Sequence, residues 1–268
     1  MLLKDKIALV TGGSRGIGRG IALKLAESGC KVVINYRQND NAAADTLERV
    51  RQLGSDGLLV QADVSRPEDL RAMLERVRTQ FGKVDIFVSN ALGELFSYYV
   101  PPKSLAVEQW NLALCSTAQS FWLTVQQAAE TLIPDGGRVV AITYAPGGRT
   151  GSWQPYIAQG TAKAALESLV RYFAVALAKR RITVNAISPG FIEDSILNAL
   201  PSEVQQMVRE HHESGWTPMG RLGTPADIGN AVVLLCSGLA GWITGQTIAV
   251  DGGSSLMSPE LPLTIQAG

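Results

Sequence analysis

The chain has 268 residues, enough for one or two domains, and 46% of them are hydrophobic while 18% are charged. This composition excludes a disordered or fibrous protein. The 24 basic and 24 acidic residues give a net charge of zero, so no basic excess is available for binding nucleic acid.

Cysteine content and apolar runs indicate where the protein is found. Three cysteines are too few and too widely spaced for a disulfide scaffold or a zinc motif, which favours a reducing cytoplasm. The first apolar run breaks after four residues, too short for a signal peptide, and no later run approaches the roughly 20 residues that span a bilayer. We expect a soluble cytoplasmic protein that binds neither membrane nor nucleic acid.

Short runs rich in β-branched residues alternate with helical patterns along the chain. The predicted strands cover residues 7–10, 31–35, 57–61, 86–89, 138–143, 183–187 and 247–250. This alternation predicts βαβ units, and consecutive apolar positions suit a parallel sheet covered by helices on both faces. The expected fold class is therefore α/β, with a single doubly wound domain over residues 1–257.

The helical patterns differ along the chain. Residues 19–28 and 162–177 each carry apolar side chains on one helical face. Residues 192–220 combine helical patches with prolines and polar residues after a strand, which suggests a substrate-binding lid. Residues 258–268 show little periodicity, so we expect a C-terminal tail outside the core.

The first predicted strand runs into a glycine-rich turn at 11–18 and then directly into a helix. Glycine keeps such a turn free of side chains, so a phosphate can reach the N–H groups at the helix N-terminus. The spacing resembles the T-G-x-x-x-G-x-G motif of the short-chain dehydrogenases/reductases, which share a Rossmann sheet. The resemblance implies a bound dinucleotide, held here by Gly12, Ser14, Arg15, Gly16, Ile17 and Gly18.

The second strand ends in Asn35-Tyr36-Arg37, where an NAD-binding chain usually places an acid for the ribose 2′-hydroxyl. No acid stands there. Arg37 and Arg15 can instead give charge-assisted hydrogen bonds to a 2′-phosphate. The sequence therefore favours NADPH.

Further marks of this family follow in order over about residues 4–257. The resemblance implies that Asp63 and Val64 contact adenine and that Asn90 and Ala91 lie against the cofactor ribose. It also implies that the nicotinamide is bordered by Pro189, Gly190 and Ile192. An Asp251-Gly252-Gly253 turn completes the series near the end of the chain.

The family's usual carbonyl-reducing site has a Ser on the fifth strand, a Tyr-x-x-x-Lys on the next helix and an Asn on the preceding helix. Here Lys163 is present, but Gln159 stands four positions before it and Tyr144 stands where the serine is expected. The stretch 115–117, Cys-Ser-Thr, replaces the one that holds the asparagine.

Tyr156 lies seven positions before Lys163, and this Tyr-x6-Lys spacing resembles the enoyl-acyl-carrier-protein reductases of bacterial fatty-acid synthesis, in their NADPH-dependent branch. The resemblance implies reduction of the trans-2 double bond of an enoyl thioester, carried on acyl carrier protein or coenzyme A. Tyr156 would hydrogen-bond the forming enolate oxygen, Lys163 would hold the nicotinamide ribose, and Tyr144 would line the acyl pocket. Phe96 and Trp153 are further candidates for lining it.

Two alternatives stay open: an alcohol or ketone oxidoreductase with a displaced tyrosine, and a nucleotide-binding regulator without catalysis. The family is mostly tetrameric, so we expect a homotetramer with Trp110, Phe121 and Trp122 at a subunit interface. His211 and His212 are adjacent and point in different directions on a helix, so we expect no metal site.

Overall fold

The computed structural model describes residues 1–93, 100–144, 154–194, 196–258 and 260–266. Their centre is one seven-stranded sheet with the order β3-β2-β1-β4-β5-β6-β7. The strands are β1 (Ile7–Val10), β2 (Lys31–Tyr36), β3 (Gly57–Gln61), β4 (Ile86–Ser89), β5 (Arg138–Ile142), β6 (Thr183–Pro189) and β7 (Thr247–Val250). All six pairings are parallel, which confirms the expected α/β class and the doubly wound sheet.

Helices connect the strands and cover both faces of the sheet. They are α1 (Gly16–Glu27), α2 (Asp40–Gln52), α3 (Pro67–Phe81), α4 (Val107–Leu114), α5 (Ser120–Thr131), α6 (Ile157–Leu177), α7 (Ser202–His211), α8 (Pro225–Cys236) and α9 (Leu263–Gln266). In the described part of the chain, no helix is both long and apolar enough to cross a bilayer.

Alternate side chains of the strands feed two separate cores, because successive residues of a strand point to opposite faces. Leu9 and Phe87 pack with α3, α5 and α6, whereas Val10 and Val88 pack with α1, α2 and α8. The first core contains Phe121, which is fully buried and lies 6.5 Å from Phe87 between ring centroids. Our expectation of an interface role for Phe121 was wrong, because this ring completes the core.

Strand β1 pairs with β2 on one side and with β4 on the other. The sheet is therefore built outward from this place in two opposite directions, first towards β3 and then towards β7. Loops leaving the carboxyl ends of β1 and β4 therefore diverge and open a crevice, which is where ligands bind in doubly wound sheets. The glycine-rich turn follows β1 and Asn90 follows β4, so both lie at this switch point.

Candidate active site

The glycine-rich turn is tightly packed against its neighbours. Gly12 has a φ of 63°, which favours glycine, and a Cβ on Gly18 would lie 2.1 Å from the Gly12 carbonyl oxygen. Helix α1 begins at Gly16 with no acidic residue in its first turn, and its N-cap residue, Arg15, makes no capping bond with any described residue. The first-turn N–H groups and the positive end of the helix dipole thus suit a phosphate.

Two side-chain amides hold this turn in place, one directly after β4 and one on β2. The Asn90 amide donates to the carbonyl oxygens of Thr11 and Gly12 at 3.0 and 3.2 Å, and the Thr11 hydroxyl accepts from the backbone N–H of Asn90. From β2, the Asn35 side-chain oxygen accepts from the Gly12 N–H at 3.2 Å. These hydrogen bonds hold the glycine-rich turn in a defined conformation, and Asn90 contributes to it directly.

An open cavity of about 480 Å³ lies at the carboxyl ends of β2 and β3. It is lined by Arg37, Gln38, Gln61, Ala62, Asp63, Arg66 and Asp69. Arg37 lies 4.0 Å from the Asp63 carboxylate, while Asp63 also accepts hydrogen bonds from Ser65. The structure thus brings Arg37 and Asp63 together, at the place expected for the adenosine half of the cofactor.

The second predicted phosphate ligand, Arg15, is exposed at the start of α1 and is not part of this cavity lining. Arg66 lines the cavity but was not predicted from the sequence. The sequence signal for it is weak, namely a basic residue directly before the proline that starts α3.

The other half of the crevice is built around the end of β6. A Cβ on Gly190 would lie 2.8 Å from the Asp251 Cα, so the two segments pack backbone to backbone. The Asp251 carboxylate accepts from the N–H groups of Gly253 and Ser255, which fixes the predicted Asp-Gly-Gly turn. Pro189 and Ile192 are buried beside it.

Tyr156 is the N-cap residue of α6, and its side chain is only 4% exposed. Its ring lies 4.7 Å from that of Tyr144, which follows β5, at an angle of 60°. The structure thus places the two predicted tyrosines in contact. Phe96 and Trp153, the other predicted lining residues, lie outside the described residues.

Lys163 is buried on the same helix, and its ammonium donates to the carbonyl oxygen of Ile142 on β5. Burial lowers the pKa of Lys163 to about 8, while the negative charge of Glu167 opposes the shift. The predicted Tyr-x6-Lys pair thus combines a shielded phenol with a shielded cation on one helix.

Gln159, at the position where carbonyl-reducing members have tyrosine, is completely buried. Its amide nitrogen donates to the Thr117 hydroxyl at 2.9 Å, and its oxygen has no hydrogen-bond partner among the described residues. Thr117 belongs to a π-helical turn, Cys115–Gln119, between α4 and α5. Gln159 and Thr117 both stand at positions where the sequence differs from the usual carbonyl-reducing site, and the structure joins them by a hydrogen bond that the sequence did not predict.

The predicted lid, residues 192–220, contains α7 and a second π-helical turn, His212–Trp216. Arg209 on α7 forms an ion pair with Glu193, and the His212 ring hydrogen-bonds the Thr217 hydroxyl at 2.8 Å. Burial lowers the pKa of His212, and the charge of the neighbouring His211 lowers it further, which favours the neutral ring. The His212 ring lies 4.8 Å from the ring of Phe191, which follows β6 by two residues.

The donor set fits a phosphorylated dinucleotide. It offers the first-turn N–H groups of α1 for a diphosphate and Arg37 for a further phosphate. It also offers two buried polar atoms without partners among the described residues, Ser188 Oγ near the carboxyl end of β6 and Gln159 Oε1 near the start of α6. Buried polar atoms without partners are rare in proteins and indicate a ligand or water.

The chain is similar over most of its length to known proteins. The family described as "Enoyl-(Acyl carrier protein) reductase" matches residues 12–255. The chain is 37% identical over 265 residues to 1-cyclohexenylcarbonyl-CoA reductase of Streptomyces collinus, covering 99% of this chain and 91% of that protein. It is 32% identical to tetrahydroxynaphthalene reductase of Pyricularia oryzae, covering 95% and 91%.

Among solved structures, the fold is similar to that of the angucycline C-6 ketoreductase LanV with bound NADP. The TM-score is 0.84 with 32% identity, over 96% of this chain and 98% of that one. On the strength of its sheet, its glycine-rich turn and these relatives, the chain belongs to the short-chain dehydrogenase/reductase family.

Proposed function

We propose that this member of the family, an NADPH-dependent oxidoreductase, reduces the trans-2 double bond of an enoyl thioester carried on acyl carrier protein or coenzyme A. The observation that carries the proposal is the buried pair of Tyr156 and Lys163 on α6, with Gln159 in the place of the usual proton donor. An amide cannot supply the proton that a phenol supplies in carbonyl reduction.

The spacing suits conjugate addition. When bound, NADPH would supply the hydride that adds to the β-carbon of the enoyl group. Negative charge then develops on the thioester oxygen, two atoms further from the site of hydride addition than in a simple ketone. A donor displaced along α6, Tyr156, would hydrogen-bond this enolate oxygen, and a proton from solvent at the α-carbon would complete the saturated acyl thioester.

Lys163 adds positive charge beside the developing enolate and would hold the nicotinamide ribose. Both effects are stronger in a water-excluded site, where charge is poorly screened. Tyr144, in ring contact with Tyr156, would line the acyl pocket. Gly12, Gly16 and Gly18 with the first turn of α1 would bind the diphosphate.

The relatives support this reading in part. The family description names enoyl-acyl-carrier-protein reduction. The substrate named for the Streptomyces collinus enzyme is a thioester whose carbonyl is attached to a ring double bond. A role in fatty-acid synthesis and a homotetrameric assembly are parts of the same proposal; the exposed apolar side chains of Tyr172, Val175 and Trp242 support the assembly.

A second candidate is reduction of a ketone, with Tyr156 as a displaced proton donor. The ketoreductase and tetrahydroxynaphthalene reductase relatives, at 32% identity each, favour it. The names of these relatives do not say which residue of this chain would donate the proton. Gln159, which stands where the usual carbonyl-reducing site has tyrosine, is evidence against that site.

Oxidation of NADPH by the purified protein separates these candidates. We expect consumption with crotonyl-coenzyme A or crotonyl-acyl carrier protein and little with acetoacetyl-coenzyme A. The reverse preference would establish ketone reduction. Binding of NADPH with no turnover of either thioester would indicate the regulator without catalysis.

A further inference from the structure

Two residues one turn apart on α6 hold two consecutive residues at the end of β5. The Lys163 ammonium donates to the carbonyl oxygen of Ile142, and the Thr143 hydroxyl donates to the Glu167 carboxylate at 2.7 Å. These contacts join positions 21 and 24 residues apart in the sequence. The end of β5 is thereby tied to α6 at two adjacent points.

This attachment bears directly on the two tyrosines. Thr143 is the residue before Tyr144, and it is buried with 5% exposure, whereas Glu167 is half-buried, so their hydrogen bond is partly shielded from water. Hydrogen bonds to a charged group are shorter and stronger than neutral ones. Because Tyr156 starts the helix that carries Glu167, the bond fixes the distance between the two ring-bearing segments.

Glu167 also supplies charge. Its carboxylate is the described charged group that acts on buried Lys163, raising a pKa that burial lowers. From β5, the groups at this point are the neutral Ile142 carbonyl and Thr143 hydroxyl. The phenols of Tyr144 and Tyr156 lie on the same two segments of the chain.

We propose that Glu167, held by Thr143, is a positioning residue of the reductase site, one that fixes Tyr144 against Tyr156 and supplies negative charge for the Lys163 ammonium. The inference rests on the proposed function. Its two parts are separable, because the Thr143 hydroxyl serves only the geometry, whereas the Glu167 carboxylate serves both geometry and charge.

Four variants separate these parts. We expect Thr143→Val and Glu167→Gln each to lower kcat for crotonyl thioester about ten- to hundredfold, the effect of losing a hydrogen bond to a charged group, with smaller changes in KM. Thr143→Ser should recover most of the activity. Glu167→Gln, and not Thr143→Val, should move the alkaline limb of the kcat/KM profile to lower pH, while Glu167→Asp keeps that limb near its original place.

The double variant Thr143→Val/Glu167→Gln should lose little more than Glu167→Gln alone, because partners in one hydrogen bond are not additive. Matched controls come from the surface of α3. Thr79→Val removes a hydroxyl bond to the Glu75 carbonyl, and Glu75→Gln removes an exposed ion pair with Arg78. Both controls should keep wild-type kcat.

NADPH affinity, measured by fluorescence titration at neutral and alkaline pH, gives a readout besides turnover. Glu167→Gln should weaken alkaline binding more than neutral binding. The inference is overturned if Thr143→Val and Glu167→Gln keep the wild-type kcat and pH profile while the wild type reduces crotonyl thioester. A wild type inactive on crotonyl thioester is a different result, because it overturns the proposed function itself.

Discussion

The ring of Tyr156 lies against the ring of Tyr144, with centroids 4.7 Å apart and planes inclined at 60°. The two residues come from different elements, one starting α6 and one following β5. Tilted aromatic pairs of this kind contribute about 0.5–1.5 kcal/mol beyond their buried area. A change from Tyr to Phe at either position keeps the ring pair and removes only the hydroxyl, so it tests the chemistry without the packing.

For Tyr156→Phe we expect kcat for crotonyl thioester to fall on the order of 10²- to 10³-fold, the usual effect of losing one preorganised donor at an oxyanion. NADPH affinity should stay at the wild-type value, because this phenol acts on the thioester. Tyr144→Phe should cost less, since that ring lines the pocket. Steady-state kinetics and a cofactor titration measure both. Full turnover by Tyr156→Phe would remove this residue from the catalytic proposal.

Arg37→Glu tests the choice of cofactor. The new carboxylate would stand beside Asp63, which lies 4.0 Å from Arg37, and together they would repel a 2′-phosphate. We expect kcat/KM for NADPH to fall about ten- to hundredfold while that for NADH holds or rises.

The control for this change is Arg49→Glu on α2, where the arginine pairs with Asp45 away from the cavity. Arg66→Gln asks whether the second arginine of the cavity lining also contacts the phosphate. An unchanged ratio of NADPH to NADH turnover in Arg37→Glu would contradict the assignment.

The sequence predicted the sheet well because local periodicity controls it. Each predicted strand ends within two residues of the observed one, and the glycine-rich turn, Tyr156 and Lys163 lie where their motifs indicate. Phe121 was wrongly predicted to lie at a subunit interface, because the sequence pattern of an apolar residue on a helix is the same whether it faces the core or another subunit. Pairs such as Thr143 with Glu167 have no local signature, since they depend on how β5 and α6 dock.

The buried pair of Gln159 and Thr117 makes a prediction about stability. Thr117→Val removes the one described partner of the Gln159 amide and leaves a polar group buried and unpaired, which costs about 1–3 kcal/mol. Replacing both partners with apolar residues, as in Thr117→Val/Gln159→Leu, should recover most of that loss. Urea unfolding of the wild type and these two variants, without cofactor, measures both the loss and the recovery. A double variant less stable than Thr117→Val would contradict the expected recovery.

Lys163 predicts how activity depends on pH. Burial lowers its pKa to about 8 against the opposing charge of Glu167, so the ammonium loses its proton as the pH rises through this value. The neutral amine can neither stabilise an enolate nor hold the ribose by a charge-assisted bond. We expect kcat/KM, which reports the free enzyme, to fall about tenfold per pH unit above about pH 8.

The same group predicts the opposite trend for stability. In the unfolded chain the pKa of Lys163 returns to about 10.5, so between about pH 8 and 10.5 the unfolded state binds more protons than the folded state. The contribution of this residue to the free energy of unfolding therefore rises with pH across that window, while activity falls. Urea unfolding of the wild type and of Lys163→Met over this pH range isolates the contribution of Lys163 to the free energy of unfolding, because the variant has no ionisable group at this position. If the free energy of unfolding of the wild type and of Lys163→Met changes with pH in the same way, the lysine keeps its ordinary pKa in the folded protein.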